Sequence, residues 1–315
     1  MRQNKQLKIN GGSKPRSLIK QIWRCRHVYI ILLPVILYYI IFSYLPIGGN
    51  VMAFQKYSLV KGITGSKWVG LDNFKMFLST YNFWNLLRNT LRLSIYTLVV
   101  GFPITIIFSL LLNEVKNLKF KKVVQTVTYM PHFISAVVMC SIVILFLASE
   151  GAINDLITSL GFKRVAFMTK ASYFPTIYVV QHLWQSLGWS SIMFIAAIAG
   201  VDQEQYEAAY IDGAGRFRQA IHVTLPGIAD TIIIVLILNI GGLLNVGTQK
   251  ILLLQNPSIY ETADVVGTYV YRRTLVEGGN FGYSTAISVF NSLINLALLI
   301  TSNKISKWFS GKGLF

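Results

Sequence analysis

Few residues in this chain have the types and spacing that catalysis needs. His27, His132, His182 and His222 are scattered through 315 residues, and none stands in an HExxH pattern that would place two zinc ligands and a base on one helix face. The two cysteines, Cys25 and Cys140, form no CxxC pair and no disulfide framework. Cys140 lies inside an apolar run and reads as a small core residue. No GxxxxGK[ST] phosphate loop is present, and Gly311-Lys312-Gly313 lacks its spacing and its strand–helix setting. No nucleophile stands beside a base. The chain is expected to catalyse nothing by itself and to hold no cofactor or metal. What remains is a set of polar side chains inside apolar runs: His132, Gln181, Gln185, Asn239, Asn245, Asn291 and Asn295, with Trp184 and Trp189 close to the two glutamines. Such groups must face protein or water rather than lipid. They either join helices or line a pathway.

The elements that carry them are built for a membrane. The chain is 53% hydrophobic and 13% charged, with a mean hydropathy of +0.53, whereas soluble domains carry about 25% charged residues. Six stretches can cross about 30 Å of hydrocarbon as helices: 28–47, 90–112, 123–147, 175–199, 228–246 and 283–302. None alternates with period two, so a β-barrel is not expected. The fold class is therefore all-α, a polytopic bundle of six transmembrane helices forming one domain over 28–302. The first run is longer than a signal-peptide core and no small-x-small site follows it, so it is expected to stay as the first span. Pro34, Pro103, Pro131 and Pro175 fall within the runs, where proline kinks a helix or is tolerated by its neighbours.

Charge sets the orientation. The net charge is +17, from 29 Lys and Arg against 12 Asp and Glu. These bases flank the apolar runs instead of forming the basic face a nucleic-acid binder needs. With the N-terminus inside, segments 1–27, 113–122, 200–227 and 303–315 hold 17 bases, against 11 in the outside segments 48–89, 148–174 and 247–282. The bias is strongest at the first span, which places both termini, the 303–315 tail and the 200–227 segment in the cytoplasm. In 148–174, "INDLITSLGF" reads as a short interfacial helix.

The segment Glu207–Pro226, "EAAYIDGAGRFRQAIHVTLP", is patterned beyond the needs of a connector. Glu207, Ala208, Ala209, Ile211 and Asp212 favour helix, and Gly213 and Gly215 should end it in a turn. Phe217, Ala220, Ile221 and Thr224 recur at helical spacing, and Pro226 is expected to stop that second helix. The small residues let another surface approach the backbone, so the hairpin either docks into something cytoplasmic or packs under its own bundle.

The order Glu207-Ala208-Ala209, Gly213, Val223, Leu225-Pro226 resembles the EAA motif of ABC importer permeases, with Val223 where isoleucine is commoner. "WVGLDNF" (68–74), "NTLRLSIYTLVVGFPITIIFSLLLNE" (89–114), "YMPHFIS" (129–135) and "WQSLGWSSIMFIAAIAGVDQEQYEAA" (184–209) extend the resemblance over nearly the whole chain, to the carbohydrate branch of that family. "YLPIGGNVMAFQKYSLVKGITGSKWVGLDNF" is similar to Gram-positive permeases for polysaccharide-derived oligosaccharides, several linked to pectin and rhamnogalacturonan fragments.

The resemblance implies a type I importer permease in a bacterial plasma membrane. A second permease would complete the pathway as a heterodimer. Two cytoplasmic ATPases would bind ATP and Mg, and an extracellular solute-binding lipoprotein would deliver the sugar. Glu207, Ala208, Ala209, Asp212, Gly213, Ala214 and Gly215 would dock as the coupling helix. The sugar would then meet some of His132, Gln181, Trp184, Gln185, Asn239, Asn245, Asn291 and Asn295. A permease for a polyol or glycerol phosphodiester is the alternative within the class. A channel or secondary transporter would want ionisable residues in mid-membrane, and only Arg92 and Asp230, near span ends, come close. A non-transporting scaffold would have no use for the hairpin.

Overall fold

The computed structural model describes residues 26–311 together with Trp23, Gly313 and Leu314. Most of the basic segment expected over 1–27 lies outside the described residues, as do Cys25 and Lys312. By its internal contacts the chain divides into Met1–Val51 and Met52–Phe315. The first unit holds most of α1 (Arg26–Phe54), which is α-helical to Tyr39 with Pro34 inside it, then a π turn over Ile40–Tyr44, then a 3-10 helix.

The second unit is helical apart from one two-stranded antiparallel ribbon, β1 (Gln55–Lys56) against β2 (Lys67–Trp68), in the register Gln55 to Trp68. Its principal helices are α2 (Asp72–Leu78), α3 (Phe83–Asn113), α4 (Leu118–Tyr129), α5 (Ala136–Leu147) and α6 (Ala152–Ser159). Then follow α7 (Phe174–Ala199), α8 (Gln203–Ile211), α9 (Arg216–Gly227) and α10 (Ala229–Gly241). α11 (Thr248–Leu254), α12 (Val266–Tyr271) and α13 (Phe281–Ser310) complete the chain.

Among the described residues, Arg26–Phe54, Phe83–Asn113, Ala136–Ser159 and Phe281–Trp308 are long and apolar enough to cross a bilayer. Two bent helix pairs, α7 with α8 at 72° and α9 with α10 at 63°, bring the number to as many as six. The protein is thus a polytopic helical membrane protein.

The expected single span 123–147 is instead two helices. Pro131 lacks an amide hydrogen and sits in a 3-10 turn, Met130–Phe133, which ends at an extended Ile134. Ser135 then caps α5, its Oγ accepting from the Val138 amide at 3.3 Å. α4 starts on Asn117, whose side chain accepts from the Lys119 and Phe120 amides. It carries Lys119, Lys121 and Lys122, so it is amphipathic rather than lipid-spanning. Pro175 falls in the first turn of α7, where no amide partner is lost. Pro103 is carried inside α3.

α3 packs most extensively against α7, and α10 against α13. One buried cluster joins Leu93 of α3, Cys140 of α5, Phe174, Tyr178 and Val179 of α7, and Ile251 and Leu254 of α11. Cys140 is thus the core residue its apolar setting suggested. A second joins Phe77, Phe83, Leu86, Tyr269, Tyr283 and Ile287 across α2, α3, α12 and α13. A third gathers Phe194, Ile198 and Ile228 where α7 and α10 lead towards the α8–α9 hairpin. Gly188 lets α4 approach α7, because a Cβ there would overlap the Thr128 carbonyl.

The segment between α11 and α12 is fastened to α3. Buried Asn89 donates through Nδ2 to the carbonyls of Glu261 (2.8 Å) and Asp264 (3.0 Å). Asp264 in turn holds Arg272, with Nη2 at 2.6 Å from Oδ2, and accepts from Thr268 Oγ1 at 2.7 Å.

Candidate functional site

Two features stand out: a polar cavity among the helices and the hairpin formed by α8 and α9. The cavity has a volume of about 530 Å³, within the roughly 300–1,000 Å³ usual for small-molecule sites. Residues recurring every three or four positions build it. Ser94, Thr97, Gly101 and Thr105 form one stripe along α3, and Tyr178, His182, Ser186, Trp189 and Met193 form another along α7. That spacing puts each set on one helix face. α10 adds Val235 and Asn239, the turn after it adds Asn245, and α11 adds Lys250.

Three of the lining hydroxyls are anchored by neighbouring carbonyls. Thr105 Oγ1 donates to Gly101 O (2.8 Å) and Ser186 Oγ to His182 O (2.6 Å), while Ser94 Oγ donates to the Thr90 and Leu243 carbonyls. Each keeps lone pairs as acceptors. Thr97 Oγ1 is buried and has no partner among the described residues. The Tyr178 hydroxyl accepts from the Gly247 amide at 3.1 Å and fixes the turn that leads into α11. Among the described residues, Lys250 is the one lysine or arginine in the lining, and no Asp or Glu lines the cavity.

Of the eight polar and aromatic residues expected on the pathway, Asn239 and Asn245 line this cavity. The other six have other surroundings. Gln181 Nε2 donates to Gln185 Oε1 (3.1 Å), and Gln185 Nε2 donates to the Ile134 carbonyl (2.9 Å), so the pair serves the backbone opened after Pro131. His132 stacks on Trp189, with centroids 4.4 Å apart and planes 1° from parallel, and so supports a wall residue. Trp184 lines a separate apolar cavity of about 340 Å³ with Val143, Phe146 and Val180. Five residues along a helix is a rotation of about 140°, which is why Trp189 rather than Trp184 reaches the polar cavity. Asn295 accepts from the Leu244 amide (3.0 Å) and donates to Asn245 Oδ1 (3.1 Å), holding the turn after α10. Asn291 does not reach the lining.

Sequence reasoning missed Ser94, Thr97, Thr105, Tyr178, Ser186 and Lys250. The polar stripes on α3 and α7 were a usable signal, whereas Lys250 was legible only as one base among those between spans.

The hairpin is locally well determined. Asp202 caps α8, accepting from the Glu204 amide at 3.1 Å. α8 ends in a Schellman turn: Gly213 has φ +74°, its amide donates to Tyr210 O (3.0 Å), and the Ala214 amide donates to Ala209 O (2.9 Å). Gln219 Nε2 bonds the Ala214 carbonyl at 3.0 Å, and the hydroxyls of Tyr206 and Thr224 lie 2.9 Å apart. The second helix, α9, ends at Gly227, one residue past Pro226 where its stop was expected, and a 63° bend at Ile228 follows. A π turn over Ala220–Thr224 shifts the backbone bonding by one residue just before Pro226, with the Leu225 amide reaching Ala220 O.

Glu207, Ala208, Asp212, Gly213 and Gly215 are exposed, and Ala209 and Ala214 are half-buried. Beside them Tyr210, Ile211 and Phe217 are 77%, 84% and 78% exposed, an apolar tip with no cover among the described residues. Only residues 200–202 separate α7 from α8, and only Ile228 separates α9 from α10. The hairpin therefore continues directly from two helices that line the cavity.

Residues 101–309 match the family described as binding-protein-dependent transport system inner membrane component. The chain is 44% identical over 305 residues to Protein LplB of Bacillus subtilis (strain 168), with 96% of each chain covered. It is 42% identical over 303 residues to the polygalacturonan/rhamnogalacturonan transport system permease protein YteP of the same organism, covering 96% of this chain and 94% of that one. A crystal structure of a bacterial ABC transporter involved in the import of the acidic polysaccharide alginate contains a chain similar to this one, with a TM-score of 0.85 and 36% identity, over 94% of this chain and 100% of that chain. A second crystal structure holds the alginate transporter in complex with an alginate pentasaccharide-bound periplasmic protein. Its matching chain gives a TM-score of 0.86 at 36% identity, over 95% of this chain and 100% of that one.

Proposed function

From the premise that the chain belongs to the family of binding-protein-dependent transport system inner membrane components, we propose that it forms half of the pathway of an ATP-driven importer for oligosaccharides derived from acidic plant polysaccharides. It is a multi-pass plasma-membrane permease subunit of the carbohydrate branch. A partner permease, two cytoplasmic ATPases and a solute-binding lipoprotein complete the working assembly. ATP and Mg belong to the ATPases, and this chain carries no catalysis of its own. Both termini and the hairpin face the cytoplasm.

The observation that carries this reading is the direct continuity of the hairpin with the cavity walls. Glu207, Ala208, Ala209, Asp212, Gly213, Ala214 and Gly215 present a close-approach surface, and the apolar tip at Tyr210, Ile211 and Phe217 supplies the area that docking buries. When the ATPases close on ATP, a rigid hairpin carries the ends of α7 and α10 with it. The cavity they line then opens to the other side. Support for a sugar comes from hydroxyls, amides and the flat face of Trp189 in one cavity, and from the substrates named for YteP and for the alginate importer.

The test is co-purification of the ATPase with the chain and its partner permease. Retention by the wild type and loss on replacing both Ile211 and Phe217 with aspartate supports the reading. Equal retention by both proteins rules out the hairpin as the docking element.

A further inference from the structure

We propose that Lys250 is the residue that recognises a carboxylate of the imported sugar, and that the cavity therefore selects uronate-containing oligosaccharides over neutral ones. This assignment rests on the oligosaccharide reading above. Lys250 is half-buried in the first turn of α11 and borders the cavity beside Gly247. No carboxylate lies within 4.0 Å of its ammonium among the described residues, unlike Arg164, Arg272 and Arg273, each of which has an acidic partner.

A partly buried cation without a counter-charge is unfavourable. Burial pulls the Lys250 pKa below its ordinary value. A bound carboxylate would offset that cost, since it supplies the missing opposite charge where water is scarce. The surroundings suit an anion carried on a sugar. No acidic side chain lines the cavity to repel it, Ser94, Thr97 and Thr105 offer hydroxyls, Asn239 and Asn245 offer amides, and Trp189 offers a flat face. Trp189 is held in place by the stacked His132 ring. A single ammonium in a cavity of about 530 Å³ fits one carboxylate at a time, read along a chain of repeating acidic units.

The experiment uses the complete importer in proteoliposomes and two labelled probes, a galacturonate tetramer and its fully methyl-esterified counterpart. Wild type, Lys250→Gln and Lys250→Arg are compared with the same binding protein, so that the protein's own preference cancels. Lys250→Gln is expected to lower the acid-to-ester uptake ratio about tenfold, the size of one charge-assisted hydrogen bond. Lys250→Arg is expected to keep the acid preference. An unchanged ratio in Lys250→Gln overturns the assignment and leaves the oligosaccharide reading standing. Equal loss of both probes also overturns it, because Lys250 is then structural. A wild-type importer that hydrolyses ATP but takes up neither probe overturns the oligosaccharide reading, and this assignment with it.

Discussion

The hydroxyl of Tyr206 lies 2.9 Å from Oγ1 of Thr224 and joins the first helix of the hairpin, α8, to the second, α9, across 18 residues of sequence. Thr224 is buried, with only 2% exposed, so this bond is sheltered from water. Tyr206→Phe keeps the ring and removes the bond, which is worth about 1 kcal/mol. The expected outcome is an ATPase that still co-purifies but imports less solute per ATP hydrolysed. Parallel measurement of uptake and phosphate release checks this, and an unchanged ratio shows that the hairpin transmits force without the bond.

Gly213 turns the chain at φ +74°, with nothing within 4 Å of where a Cβ would stand. The limitation there is backbone strain rather than space. Asparagine tolerates this conformation and valine does not, with a penalty of roughly 1–2 kcal/mol for ordinary residues. Gly213→Asn should retain the ATPase through purification and Gly213→Val should lose most of it. Equal behaviour of the two variants would show that the turn is not required for docking.

Gly188 is limited by space. Even alanine there would drive a methyl group into the backbone of Thr128. Overpacking of this kind costs about 1–3 kcal/mol. Gly188→Ala should lower the thermal unfolding midpoint of the purified permease pair by several degrees, read by intrinsic fluorescence. Gly215→Ala, with open space around it and an ordinary backbone angle, should leave that midpoint in place.

The Asp264–Arg272 pair closes at 2.6 Å with side chains 11% and 26% exposed. Removing one partner of such a partly buried pair should cost about 2 kcal/mol, between the surface and buried limits. Asp264→Ala should destabilise more than Asp264→Ala combined with Arg272→Met, because the double variant strands no charge. Unfolding midpoints of the two singles and the double form the cycle that measures it.

The hairpin was the most legible part of the sequence, since its turn is written locally: Asp202 caps, Gly213 reverses the chain, and both act through bonds only a few residues apart. The break at Pro131 was less legible. Pro131 and Pro226 both lack the amide hydrogen; α9 ends within one residue of Pro226, whereas the 3-10 turn at Pro131 splits a run expected to be continuous. Polar residues inside spans were expected either to join helices or to line a pathway: Gln185 and Asn295 bond the backbone of other segments, while Asn239 and Asn245 border the cavity. Which of them face the cavity depended on rotation about α7 and on how α3 and α11 pack around it, and composition does not encode that. Lys250 shows the difference most clearly: its charge is in the sequence, but its lack of a partner exists only in three dimensions.

The short joints on either side of the hairpin, residues 200–202 and Ile228, bear on how tightly fuel use and cargo movement are tied together. A long connector would act as a spring and absorb part of each nucleotide-driven stroke. Joints this short leave little slack, so idle ATP turnover should be slow while the pathway is held still. Lengthening the 200–202 joint with glycines should raise futile hydrolysis before it abolishes assembly.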